Sequence, residues 1–297
     1  MTPKLFARVA AWIDAPQPVL RLELVRVFAP LAVLGFMSGR LIHADEWLGQ
    51  AGFRIPDMGG DPRQPLFIPA IPTPAAWAVV TLMVVAGICT SMGVRARLSA
   101  FVFAMTLAFV SLSDRLAAFT VSKISPVIML AVALGPAASR IGFDAWLRVR
   151  SGEAPAPRER PLGSIRFLQV FLPVFYCASG LAKMGGDWMV VPRVLYSHLH
   201  DSYQTPISFF LATHMPVWAW TPMQVTVLGF EALTPLWFGW RRTRTLGMLY
   251  GVGMHVMIGL MFGPVIWFAL LMISLLVGCY LPDGWVARLD ARLTGDP

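Results

Sequence analysis

The sequence predicts an all-α fold: a polytopic transmembrane helical bundle of about eight spans with both termini in the cytoplasm. Three observations carry that reading. The 297-residue chain is 57% hydrophobic and 13% charged, with mean hydropathy +0.65, where a soluble domain would carry roughly 25% charged residues. Its apolar runs recur near the ~20 residues needed to cross hydrocarbon. Its cations sort by side once the runs are laid end to end. An outer-membrane barrel would instead present ~10-residue segments of alternating polarity, and the chain has none.

Spans are predicted at 22–42, 76–92, 98–113, 122–138, 164–182, 218–239, 245–262 and 265–281. The last two would read as one run but for Phe262-Gly263-Pro264, where proline lacks a backbone donor and glycine permits a tight turn. With both termini on one side, the segments on that side hold 15 Lys or Arg, and the opposite loops hold six: Arg54, Arg63, Arg115, Lys123, Lys183 and Arg193. Arg26, Arg40 and Arg166 fall within or at the ends of spans. This asymmetry predicts cytoplasmic termini. It also explains the net charge of +8 better than nucleic-acid binding does, because the cations occupy short loops between apolar runs. Cys89, Cys177 and Cys279 all fall inside predicted spans without a CxxC pair, which argues against a thiol relay. The first run, preceded by Pro16 and Pro18, reads as a retained span of a multi-pass cell-membrane protein, expected in a bacterial inner membrane.

Residues 1–21 are expected to form a cytoplasmic interfacial segment, 22–281 the membrane domain with a cytoplasmic linker at 139–163, and 282–297 a cytoplasmic amphipathic tail. KLFARVAAWI (4–13) would place Leu5, Phe6, Val9, Trp12 and Ile13 on one helical face, and FDAWLRVR (143–150) and GWVARLDARL (284–293) mix apolar and basic residues similarly. Headgroup-level anchoring is the expected role. RSGEAPAPRERP (150–161) is the only linker-like stretch, and it divides the chain into two four-span halves.

Ionisable residues inside spans are the first functional candidates. Glu231 and His255 each lie about nine or ten residues from the cytoplasmic end of adjacent spans, roughly 13–15 Å deep at ~1.5 Å per residue. An unpaired charge there costs at least ~2.5 kcal/mol. The two are therefore predicted to hydrogen-bond directly or through water, either as a structural tie or as a proton relay or cavity wall. His198 and His200 form an HxH pair that on a strand would share one face. Asp201 could complete a metal set with them, but the spacing is not that of an established zinc motif, and no metal is assigned. Gly247/Gly251 and Gly259/Gly263 have GxxxG spacing suited to close helix packing. Pro30, Pro173 and Pro235 are positioned to kink their spans and open a central space.

Lys183 is one of only three lysines beside 21 arginines. An amine can shed its proton in an apolar site, whereas a guanidinium effectively cannot. The bland readings are genomic composition for the scarcity of lysine, and a snorkelling lysine paired with Asp187 at the helix end.

RLELVRVFAPLAVLGFMSGRL, GVRAR (93–97), FDAWL (143–147), SGLAKMGGDW (179–188), GFEALTPLWF (229–238) and MHVMIGLMFGPVIWFALLMISLL (254–276) occur in order. Together they resemble the horizontally transferred transmembrane (HTTM) domain family, which includes the membrane part of vitamin K-dependent gamma-carboxylase. The resemblance covers roughly residues 20–281. It implies a helical membrane bundle whose active centre faces the non-cytoplasmic side. There a lysine ahead of an acidic-Trp pair acts as a base toward a reduced naphthoquinone cofactor. Lys183 matches that lysine, with Asp187 and Trp188 following. Glu231 and His255 match polar positions recurring in the family, and Trp188 and Arg26 are the implied cofactor-binding residues. Ala182 replaces the first lysine of the family's pair, Gly185-Gly186 lengthens the spacing to the acid, and no external domain for a docked protein substrate is expected.

Three functions are open at this level. One is an enzyme-like protein with an outward cavity for a quinone-type or lipid-like ligand and Lys183 as base. The second is a non-enzymatic membrane partner of a small secreted peptide, serving export, chaperoning or immunity. The third is a proton-coupled transporter using Glu231 and His255, although no inverted repeat is visible.

Overall fold

The computed structural model describes residues 3–52, 68–113, 119–191, 193–200 and 203–294, without the side chains of 3–6. Arg54, Arg63, Arg115 and Asp201, and the side chains of Leu5 and Phe6, lie outside the described residues.

The chain runs α1 (Pro3–Asp14), β1 (Pro16–Pro18), α2 (Leu20–Leu41), α3 (Ala44–Trp47), α4 (Thr73–Met92), α5 (Ala96–Ser113), α6 (Thr120–Leu134), α7 (Phe143–Arg150) and β2 (Glu159–Pro161). It continues with α8 (Gly163–Met184), α9 (Asp187–Val190), α10 (Val194–His198), α11 (Pro206–His214), α12 (Trp220–Ala232), α13 (Thr234–Gly239), α14 (Arg244–Met261), α15 (Ile266–Tyr280) and α16 (Asp283–Thr294). Each predicted span falls on a helix, the sixth on two. Among the described residues four helical segments are long and apolar enough to cross a membrane: Thr73–Met92, Ala96–Ser113, Gly163–Met184 and Gly263–Tyr280. α4 is apolar on every face yet has only 33% of its apolar window buried, with Leu82, Val85 and Ile88 turned outward. Such a helix needs an apolar surrounding, not water.

The three flanking segments are the helices α1, α7 and α16. The short antiparallel pair β1–β2 was not anticipated: proline-rich segments that cannot join a helix pair Gln17 with Arg160 instead. The linker-like stretch thus contributes a strand. The tail residue Asp290 is buried and takes a bidentate pair from Arg140, at 2.9 and 2.8 Å.

Two compact units emerge, residues 1–164 with 289–297, and residues 165–288. In the first, α2, α4, α5 and α6 surround a core that includes Val25, Val33, Met83, Phe103, Leu107 and Ile128. Proline in a helix frees the carbonyl four residues earlier. Pro126 does so in α6, and Ser111 of α5 donates to the released Ser122 carbonyl at 2.9 Å.

Arg26 ties this unit together. It is fully buried, and its Nε donates to Glu23 at 2.7 Å. Its two terminal nitrogens donate to the carbonyls of Thr90 (2.8 Å), Ser91 (2.6 Å) and Ile141 (2.8 Å). Thr90 and Ser91 end α4, where carbonyls lack helical partners and a cation is favoured. The Glu23 carboxylate is closed off by the amides of Ala138, Ser139 and Arg140. Gly93 (φ +78°) and Gly142 (φ +116°) flank the guanidinium, and a Cβ on either would lie 3.1 Å from one of its nitrogens. Asp144 then accepts from the amides of Arg95 (2.9 Å) and Ala96 (3.0 Å), capping α5 from across the turn. The GVRAR and FDAWL motifs are therefore two halves of one junction.

Candidate functional site

The second unit gathers the ionisable candidates around one close approach of α8 to the α12–α13 break. Pro235 lies just inside α13 and has no N–H to offer the Glu231 carbonyl, so the sixth predicted span is broken at Leu233. Thr234 Oγ1 donates to the freed carbonyl at 2.7 Å and to the Pro173 carbonyl of α8 at 2.9 Å. Pro173 in turn frees the Gln169 carbonyl, which receives the Tyr280 hydroxyl at 2.5 Å. Gly180 of α8 meets the break so closely that a Cβ there would lie 2.6 Å from the Ala232 amide nitrogen. Small residues permit this kind of backbone approach.

Lys183 is on the same face of α8, about one turn beyond Gly180. Its Nζ donates to both oxygens of Glu231, at 2.6 and 2.7 Å, and Ser179 adds a 3.3 Å hydrogen bond to the same carboxylate. The side chains are 28% and 8% exposed, respectively. The partial exposure of Lys183 leaves one flank of the pair reachable from outside. On that flank Nζ lies 4.9 Å from the Trp188 ring centroid, within cation–π range. Gln224, two turns before Glu231 on α12, fixes the Trp188 segment by donating to the Trp188 and Val191 carbonyls at 2.7 and 3.0 Å.

The model of the HTTM domain family matches residues 29–285, nearly the whole chain. The chain belongs to the HTTM domain family. No curated protein and no solved structure matches it. With its apolar helices, membership makes it an integral membrane protein.

The expected Glu231–His255 pairing does not form directly in this HTTM domain: each residue has another direct partner. Glu231 is taken by Lys183 because it lies at the end of α12, beside the break, not in the middle of a continuous span. His255 is buried on α14 with its Nε2 2.5 Å from the Tyr176 hydroxyl. The structural reading of Lys183 is corrected likewise, since its partner is Glu231, not Asp187. Arg26, implied as cofactor-binding, is spent on Glu23 and three carbonyls within the first unit and is fully buried. It is a fold residue. His198 lies on the helix α10 and not on a strand, its Nδ1 2.7 Å from the Val194 carbonyl one turn back, and His200 packs edge-on to Tyr196.

Sequence reading missed Tyr176, Ser179 and Gln224. Their signal was spacing: Tyr176, Ser179 and Lys183 recur at helical intervals, and Gln224 precedes Glu231 by two turns.

Two features fit an aromatic hydroxyl ligand such as a reduced naphthoquinone. An amine–carboxylate pair has an indole ring beside it, and His255 Nδ1 is buried with no hydrogen-bond partner among the described residues. Tyr176 and Phe268 pack against the His255 ring, and Phe230 packs edge-on against Tyr176.

The Gly180 approach gives one expected outcome. Gly180→Ala should push α8 from the break and lengthen the Lys183–Glu231 contact, costing about 1–3 kcal/mol by overpacking. Thermal unfolding of the detergent-solubilised variant measures it.

Proposed function

We propose that this HTTM domain protein is a multi-pass cell-membrane protein of eight spans with cytoplasmic termini. It binds an apolar, weakly acidic quinone-type ligand on its non-cytoplasmic side, with Lys183 as the base. The observation that carries the reading is the Lys183–Glu231 pair, bidentate, screened from solvent on the carboxylate side and flanked by Trp188. In low dielectric a charged pair and its neutral form, amine plus carboxylic acid, lie closer in energy than in water, because both charges vanish together. Moving the proton from Nζ to a Glu231 oxygen therefore leaves a neutral amine without creating net charge. That amine can accept a proton from an acidic ligand hydroxyl, and Glu231 holds the first proton meanwhile. Trp188 offers a face for an aromatic ring, and His255 Nδ1 offers a buried polar contact. A reduced naphthoquinone would supply the acidic hydroxyl and, with dioxygen, the oxidising chemistry.

Lys183→Arg separates this role from a structural one. A guanidinium keeps the charge and the bidentate contact with Glu231 but cannot give up its proton. Oxygen uptake by the reconstituted protein with a reduced naphthoquinone is expected to fall by at least about 100-fold in this variant, with the unfolding temperature kept. Wild-type uptake in Lys183→Arg would remove the base. Failure of the wild-type protein to bind the reduced naphthoquinone would remove the ligand class.

A further inference from the structure

A second concave surface lies in the first unit. A cavity of about 530 Å³ is lined by Arg95, Arg97, Arg148 and Arg160, and among the described residues Asp144 is its one lining carboxylate. That carboxylate is already occupied by the amides of Arg95 and Ala96. Two of the arginines are partly engaged: Arg97 Nε donates to the Ala133 carbonyl at 3.1 Å, and Arg148 donates to the Asp144 and Ala138 carbonyls at 3.2 and 2.6 Å. These bonds orient the guanidinium groups while leaving further N–H donors on each. The cavity also contains the first turn of α5, where the amides of Arg97 and Leu98 have no intrahelical partner. Four cations and a helix N-terminus converge on one concave surface.

The backbone around the cavity is held in an uncommon conformation at two positions. Among the described residues, two non-glycine residues have positive φ, Arg95 at +43° and Ala138 at +52°. Both line this cavity. Strain of this kind persists where surrounding structure imposes it, and it concentrates at ligand clamps. Nearby on α7, Phe143, Trp146, Leu147 and Val149 are exposed apolar residues, the pattern of a helix lying at the headgroup level.

We infer that this cavity binds a phosphate-bearing anion, held by the four arginines and the first turn of α5. The apolar face of α7 beside it makes the phosphate of an anionic phospholipid the expected source. The site explains why arginine and not lysine lines it: a planar fork suits phosphate oxygens.

The test uses the full-length protein in nanodiscs, with phosphatidylglycerol or phosphatidylcholine as the lipid probe and inorganic phosphate as the soluble one. Retained lipid is counted by native mass spectrometry, and phosphate binding is measured by titration. The double variant Arg95→Gln/Arg160→Gln removes two cations that make no side-chain hydrogen bond among the described residues. Arg241→Gln/Arg242→Gln removes two exposed cations elsewhere. Phosphatidylglycerol retention is expected to weaken by about fivefold per arginine removed from the cavity, with the control pair retaining it. Phosphate binding that is lost in the cavity variant alone also supports the site and identifies the source as the free ion. Equal losses in both pairs, unchanged retention in the cavity variant, or no binding of either probe would overturn it.

Discussion

Arg26→Met should cost about 3–5 kcal/mol and be the most damaging substitution in the first unit. The substitution strips Glu23 of its ion-pair partner although both side chains are almost wholly buried, 0% and 1% exposed. It also removes the guanidinium donors to the Thr90, Ser91 and Ile141 carbonyls, of which Thr90 keeps the Gly93 amide. Arg26→Lys should recover only part of the loss, because one ammonium cannot span a carboxylate and three carbonyls arranged around a planar fork. Glu23→Gln should be milder, because the guanidinium keeps its three carbonyl contacts, although the single amide oxygen can accept either from Ser139 and Arg140 or from Ala138 and Arg26, not from both pairs. Thermal unfolding in detergent, ranked across the three variants, checks the order.

The second large effect is an asymmetry at the Lys183–Glu231 pair. Lys183→Met leaves a carboxylate that is 8% exposed, with Ser179 as its remaining hydrogen-bond partner, and a stranded buried charge costs about 3–5 kcal/mol. Glu231→Gln leaves an ammonium that is 28% exposed and carried on a flexible stem. That group can turn outward, so its cost should be smaller, about 1 kcal/mol. The double variant Lys183→Met/Glu231→Gln should be more stable than Lys183→Met alone. Unfolding temperatures of the three variants in one detergent read the cycle directly.

Helix positions were legible in the sequence because long apolar runs have few alternatives in a chain this poor in charge. The ordered motifs were visible too, but not their meaning. GVRAR and FDAWL lie about 50 residues apart in sequence, and only the fold brings Asp144 onto the amides of Arg95 and Ala96. Periodicity along one helix cannot reveal a partner on another, which is why Glu231 was matched with His255. The break at Leu233 falls where Pro235 was expected to kink its span, since a proline inside a span releases the carbonyl four residues earlier. Lys183 was legible for a chemical reason, its rarity among arginines. Its partner was not, because the approach depends on Gly180, whose role is set by the backbone it touches. The β1–β2 pair lay in segments that only a negative argument, the exclusion of helix by proline, could describe.

The central claim is that the Lys183–Glu231 pair moves a proton when an acidic aromatic ligand binds. Infrared difference spectroscopy of the reconstituted protein, with and without a reduced naphthoquinone, tests it most directly. A carboxylic-acid band from Glu231 should appear on ligand addition, vanish in Glu231→Gln, and be absent in Lys183→Arg. An unchanged carboxylate band in the ligand-bound wild-type protein, or the same new band in Glu231→Gln, would contradict it.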